Sequence, residues 1–224
     1  MKPGFIDGEY QDGELRGLTF IAGLRGMGKT TEAIRLVEQC RGTVIFFDTV
    51  GRHVALLPGF IQVSQPGELK DLFMAAGHNR RKPVRAIYVP KDEFPEEHMQ
   101  AVAVIVRAMG QMIFCVDEID TFCGAEYGAK QMPDELYNLA HFGRHYRVSM
   151  LATARDPASL SIRFRSQCAF MRLFRTDEGR YVKYFEARIG KVNAAKLPTL
   201  RKTYFLLWES GKTEASVCGG PRKL

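Results

Sequence analysis

Short apolar runs alternate with helical periodicities along this chain. The runs LTFIA (18–22), TVIFF (43–47), FIQV (60–63), VRAIYV (84–89), MIFCVD (112–117), VSMLAT (148–153) and AFMRLF (169–174) have strand length and are rich in β-branched and aromatic residues. Segments 28–39, 67–76, 96–109, 133–143, 158–166 and 177–188 carry helical patterns. Strands that are apolar throughout, rather than alternating, are buried on both faces, and the intervening helices supply the cover. The pattern therefore predicts an α/β domain with a mostly parallel sheet between two helical layers. The helix over 96–109, EEHMQAVAVIVRAM, is apolar around most of its circumference and is expected to be largely buried. Two further strands are expected around KTYFLLWES and TEASVCG, joined by a Ser-Gly turn. There are no internal repeats or low-complexity tracts, and the expected division is an N-terminal extension (1–16), one domain (17–208) and a C-terminal hairpin or tail (209–224).

Composition agrees with one large α/β domain: 224 residues, 46% hydrophobic and 25% charged. No apolar run approaches the roughly 18 residues of a membrane span. The opening MKPGFIDGEYQDGELRG is polar and acidic, unlike a secretory signal, so a cytoplasmic location is expected. The five cysteines, Cys40, Cys115, Cys123, Cys168 and Cys218, form no CxxC pair and are read as reduced and structural. Charge changes the picture more. Residues 1–140 hold 15 basic and 19 acidic side chains, whereas residues 141–224 hold 17 and 6. The last third is thus either a face for a polyanion or acidic partner, or a solvated basic surface.

The segment GLRGMGKTT (23–31) fits G-x-x-x-x-G-K-[ST], with Gly23, Gly28, Lys29 and Thr30 at the fixed positions. A buried strand runs into it and a helical sequence runs out. Glycines allow successive backbone N–H groups, including those near Gly26, to point inward at oxygen atoms, and the helix N-terminus adds its positive end. Lys29 is expected to reach the β- and γ-phosphates of ATP, and Thr30 to hold Mg²⁺, with Thr31 in the first helical turn also at the nucleotide. A bare glycine turn would leave Lys-Thr at that offset unexplained.

The strand MIFCVD ends in Asp117 and is followed by Glu118. An Asp at such a strand end orders Mg²⁺, and a Glu directly after it is placed to polarise an attacking water, which favours hydrolysis. Asp120 is read as a loop or cap residue.

The segment 142–175, with Gly143-Arg144, VSMLAT, Asp156-Pro157, Ser166-Gln167-Cys168 and Met171-Arg172-Leu173 in order, resembles the HerA/FtsK superfamily of P-loop ATPases. With the two Walker motifs the resemblance covers residues 17–175, and more loosely extends to 208. It implies a three-layer RecA-like fold, a homohexameric ring, and an ATP at each subunit boundary met by an arginine from the neighbour. Arg144 is the candidate for that finger, its other reading being a salt-bridged arginine at a helix end. At the position of the family's sensor glutamine stands Arg155, which cannot accept a hydrogen bond from water. It is expected either to sense the γ-phosphate or to act as a second positive finger. The compact length looks most like the genome-packaging ATPases of tailless, membrane-containing phages and archaeal viruses, and HFGRHYRV is also similar to Zot-like phage assembly ATPases. The implied partners are double-stranded DNA, further copies of the chain, and capsid or viral membrane vertex proteins. Location would be the host cytoplasm or the virion.

A ring motor grips phosphates through loops at its pore. Candidates are GHNRRKPVR (77–85), with Arg80, Arg81, Lys82 and Arg85, and GAEYGAKQMP (124–133), with Tyr127 and Lys130. Each is otherwise a solvated loop. Arg163 and Arg165 are candidates for a subunit interface. A non-motor P-loop nucleotide switch is the competing reading.

Overall fold

The apolar runs come together in one nine-stranded sheet. The computed structural model describes residues 10–11, 14–76, 83–91, 95–123 and 132–220. In chain order the strands are β1 (Tyr10–Gln11), β2 (Glu14–Leu15), β3 (Leu18–Ala22), β4 (Thr43–Phe47), β5 (Ile61–Val63), β6 (Arg85–Tyr88), β7 (Met112–Val116), β8 (Val148–Ala154), β9 (Phe170–Phe174), β10 (Tyr204–Glu209) and β11 (Ser216–Gly219). The helices are α1 (Lys29–Gln39), α2 (Pro66–Ala75), α3 (Pro95–Met109), α4 (Asp120–Cys123), α5 (Asp134–Phe142), α6 (Ile162–Ser166), α7 (Gly179–Ile189) and α8 (Lys191–Ala194).

The sheet order is β11-β10-β9-β3-β8-β7-β4-β6-β5. From β9 to β5 every neighbouring pair is parallel, while β10 and β11 add an antiparallel edge. β1 and β2 form a separate small hairpin that the sequence pattern does not signal. Alternate residues of each central strand feed different cores, as strand geometry requires. Leu18, Phe20 and Ala22 of β3 join the core under α2, α3, α5 and α7, whereas Ile21 joins Ala33, Ile34, Leu36 and Val37 of α1 on the other face. Both faces are dry, which is why the strands read as unbroken apolar runs.

Two expectations are corrected. α3 buries one face, His98, Met99, Val102, Ala103 and Val106, and leaves Val104 41% exposed, because it lies on the sheet as an outer layer rather than inside it. The helix expected over 158–166 shortens to α6. Asp156 Oδ1 accepts the N–H groups of Ala158 and Ser159 and holds that stretch as a turn, and Ser161 then caps α6 by accepting the Phe164 N–H at 3.3 Å. All five cysteines are free, and Cys40, Cys115, Cys123 and Cys168 are buried.

One charge lies inside the sheet. Arg172 of β9 is fully buried, donates to Glu32 Oε1 of α1 at 2.6 Å, and stacks 5.2 Å from the Phe205 ring centroid. Glu32 also accepts from Arg35 at 2.6 and 2.8 Å, so the buried carboxylate is well satisfied. This network ties the start of α1 to the β9–β10 side of the sheet.

Candidate active site

Parallel strands gather their following loops at one edge, and here β3, β8, β7 and β4 all end there. β8 lies between β3 and β7, so the chain leaving β3 crosses two strands before rejoining the sheet at β4. A crevice at such a point is the usual ligand position in an open α/β sheet.

The loop after β3 is shaped by its glycines. A Cβ on Gly23 would lie 2.7 Å from Phe174 Cβ, so only glycine lets the loop pass over β9. Gly28, at φ 105°, is the N-cap of α1 and offers no side-chain acceptor to the helix. The first amides of α1 therefore lack intrahelical partners and point their partial positive charge into the cleft. Lys29 is nearly buried. Its Nζ folds back to donate to Gly23 O at 2.8 Å and Leu24 O at 3.0 Å. Burial lowers its pKa below the usual lysine value, against the pull of Asp117, Asp120 and Glu118.

Asp117 follows β7 and is fully buried. Its Oδ1 accepts from Thr30 Oγ1 at 3.3 Å and from Thr153 Oγ1 at 2.7 Å, while Thr49 Oγ1 donates to its carbonyl at 2.7 Å. Asp117 Oδ2 is buried with no hydrogen-bond partner among the described residues, and His53 Nδ1 stands 3.7 Å away. Glu118 sits at φ 56°, a left-handed conformation rare for a non-glycine residue, held by its N–H donating to Thr153 Oγ1 at 2.9 Å. Burial raises the Glu118 pKa, and the Arg155 guanidinium that pairs with it works in the opposite direction.

Asp120, read from the sequence as a loop or cap residue, is the first residue of α4 and braces a loop rather than capping a helix. Its Oδ2 accepts the backbone N–H groups of Arg155 at 3.1 Å and Asp156 at 2.9 Å, and so fixes where the chain leaves β8.

The sequence reading missed Asp48 and His53. Asp48, after β4, accepts the N–H groups of Val50, Gly51 and His53 and the His53 imidazole at 2.9 Å. Burial alone would raise the Asp48 pKa, but the bonds from His53 and the backbone outweigh it and lower the value. Burial likewise works against protonation of His53, but Asp48, Asp117 and Glu118 prevail and raise its pKa. The available signal was an acid ending a buried strand, DTVGRH, in a sheet whose other strand ends carried the chemistry.

The cleft encloses about 480 Å³. Its lining includes the cations Arg25, Lys29, Arg52, Arg155 and Lys202 and the acid Glu118, with Thr30 and Thr31 on the helix side. Glycine-loop amides, a lysine and this cationic rim suit a polyphosphate. The Thr30 hydroxyl beside the half-satisfied Asp117 carboxylate suits a divalent cation with oxygen ligands. Asp48, His53 and Asp117 also bring ligand atoms within 4.8 Å of one another. Asp48, however, is already engaged by three backbone amides, so it shapes the loop that carries His53.

The remaining candidates fall elsewhere. Arg144 is exposed in the 3-10 turn Gly143–Tyr146, which precedes β8. The seven residues of β8 separate that turn from Arg155 by roughly 20 Å, so Arg144 cannot serve its own cleft. Among the described residues no ion pair holds it. Arg163 and Arg165 lie over the rings of Tyr137 and Tyr184 within the same chain. Arg85 turns inward: its guanidinium donates to Cys40 O and Val37 O at 2.8 Å and closes the C-terminus of α1. Arg80, Arg81, Lys82, Tyr127 and Lys130 lie outside the described residues. No helix among the described residues is long and apolar enough to cross a membrane.

No protein-family model and no curated protein matches the chain. Solved structures do. The genome packaging NTPase B204 from Sulfolobus turreted icosahedral virus 2, in complex with sulfate, is 15% identical at a TM-score of 0.72, covering 93% of this chain and 98% of the other. VirB4 of Thermoanaerobacter pseudethanolicus is 10% identical at 0.64, covering 92% and 90%. The N-terminal domain of zonular occludens toxin from Neisseria meningitidis is 11% identical at 0.51, covering 92% and 94%. B204 has also been seen with AMP, AMPPCP and ATP-gammaS. At these identities the likeness is one of fold: this chain has the same α/β sheet architecture as these proteins.

Proposed function

We propose that this chain is an ATP-hydrolysing DNA translocase, a genome-packaging motor that works as a ring with ATP at subunit boundaries. The observation that carries the reading is the convergence of Lys29, Thr30 and Glu118 on one cleft, with the buried Asp117 carboxylate directly behind it, hydrogen-bonded to the Thr30 hydroxyl.

The triphosphate of ATP would lie along the loop 23–31, its oxygens taking N–H donors from the loop and the first turn of α1. Lys29 exchanges its bonds to Gly23 O and Leu24 O for bonds to phosphate oxygens. Thr30 and Asp117 would hold Mg²⁺, which would supply positive charge to the phosphate oxygens. Glu118 accepts a proton from a water whose oxygen attacks the γ-phosphorus. The bond to the β–γ bridging oxygen breaks, leaving ADP and inorganic phosphate. Arg155 at the end of β8 senses the γ-phosphate. Leaving Glu118 for that phosphate would release the general base when nucleotide is present. Arg144, at the other edge of the sheet, reaches the site of the neighbouring subunit. The basic last third of the chain and the loops at 77–82 and 124–130 meet the DNA phosphates.

The test is ATP turnover with and without duplex DNA, combined with electron microscopy of the protein with a non-hydrolysable ATP analogue. Stimulation by DNA and closed rings support the motor. DNA-insensitive turnover by a monomer overturns it and leaves the second reading, a non-motor nucleotide switch. That reading is favoured by the pairing of Glu118 with Arg155, which holds the general base in check.

A further inference from the structure

We propose that the turn Arg201-Lys202-Thr203-Tyr204 is a second phosphate-contacting element of the nucleotide cleft and couples nucleotide occupancy to the β10–β11 hairpin. The proposal rests on the reading of this cleft as an ATP site.

Lys202 and Thr203 line the same cleft as Gly28, Lys29 and Thr31, although they lie about 170 residues further along the chain and neither belongs to a Walker motif. The turn is closed by the Tyr204 N–H donating to Arg201 O at 3.0 Å. Thr203 adopts φ 69°, a conformation that turns of this kind give to glycine or asparagine and that a β-branched residue rarely takes. Its surroundings hold it there. The Thr203 N–H donates to Met27 O of the phosphate loop at 3.2 Å, and its carbonyl accepts from the Gly220 N–H at 3.3 Å. On one side, the Thr203 methyl would stand 3.8 Å from a Cβ placed on Gly28. On the other, a Cβ on Gly219 would lie 2.3 Å from Thr203 O, so β11 presses directly on the turn.

One residue therefore joins the phosphate loop to the hairpin, and the residue before it, the exposed Lys202, lines the cleft beside the N-terminus of α1. That is where phosphate oxygens collect, and a lysine there acts as an additional point charge. A triphosphate would draw Lys202 inward. Because Thr203 is bonded to Met27 and Gly220 at once, the hairpin would tighten with it. The ligand class is the phosphate chain of a nucleoside triphosphate rather than its base.

The test compares unmodified protein, Lys29→Ala, Lys202→Ala and Lys202→Arg for binding of a fluorescent ATP analogue and of adenosine. Backbone hydrogen exchange of β10 and β11 is followed with and without ATPγS at saturation. The expected result is a loss of about tenfold in ATP affinity for Lys202→Ala, the size of one charge-assisted contact, recovered in Lys202→Arg, with adenosine binding unchanged. Exchange in β10–β11 slows on ATPγS binding in the unmodified protein and slows less in Lys202→Ala. If Lys202→Ala binds ATP as the unmodified chain does while Lys29→Ala does not, the turn is no phosphate contact and the inference is overturned with the ATP site intact. Unmodified protein that binds no ATP overturns the ATP reading and the inference with it.

Discussion

Thr153 holds both acids at the end of β7: its hydroxyl donates to Asp117 Oδ1 at 2.7 Å and accepts the N–H of Glu118 at 2.9 Å. One oxygen on β8 thereby sets the angle of the carboxylate that would face the metal and the left-handed backbone of the residue that would activate water. Thr153→Val keeps the shape and removes both bonds, leaving the Glu118 N–H unsatisfied at about 1–3 kcal/mol and Asp117 Oδ1 with only its longer bond from Thr30. The expected outcome is a lower melting temperature and at least a tenfold loss of kcat, both restored by Thr153→Ser. Normal turnover in Thr153→Val would show that the hydroxyl does not set the geometry of the acids.

Lys29 and Glu118 should fail in different ways. Lys29→Ala removes the cation from the loop and is expected to abolish ATP binding and turnover together. Glu118→Gln keeps the volume and the Thr153 bond to its backbone but cannot take a proton. It should bind ATP normally and lose turnover by a factor of about 10² or more. Isothermal titration beside phosphate release separates the two, and equal binding defects would remove Glu118 from the role of base.

Arg155 moves the pH profile. Burial raises the Glu118 pKa and Arg155 opposes that rise, so Arg155→Ala should raise it further. The acid limb of kcat against pH, where the base becomes protonated, then shifts to higher pH. A limb that stays in place would mean the pair is broken whenever nucleotide is bound.

Asp48 and His53 make stability depend on pH from two sides. The raised pKa of His53 means that its contribution is full below the ordinary imidazole value of about 6.5 and fades as pH rises through the raised value. The lowered pKa of Asp48 means that its contribution is present above the ordinary carboxylate value of about 3.9 and is lost as pH falls through the lowered one. Melting temperature should therefore decline on both sides of that window. In His53→Gln the decline on the alkaline side should flatten. An unchanged alkaline slope would show that His53 is not its source.

Arg144→Ala tests action across subunits. In mixtures with unmodified protein, a trans-acting finger should depress turnover more than dilution does, because each altered chain disables its neighbour's site. Loss in proportion to dilution assigns Arg144 to a local role.

The lining of the cleft was legible where it depends on local spacing. Gly23 to Thr31 and the Asp117-Glu118 pair each lie on one loop and announce themselves. So did the sheet, because strands buried on both faces cannot hide their composition. What escaped depends on contacts between distant segments. His53 and Thr153 act by meeting Asp117, and Lys202 reaches the cleft only because β10 pairs antiparallel with β9. A basic cluster in sequence likewise does not show that one member, Arg85, turns inward to close α1. The exposed side of α3 was missed for a related reason: alanine and valine fill an outer helix as readily as an inner one.

β8 is hydrogen-bonded to β3 over Met150–Ala154 and to β7 over Val148–Ala152, with the turn that carries Arg144 before its first residue and Arg155 just after its last. An extended strand clamped on both flanks is already near its maximum length and cannot be compressed without breaking those ladders. It is a stiff rod between Arg155 and the turn that carries Arg144. A shift imposed at the Arg155 end would reach that turn with little lost along the strand.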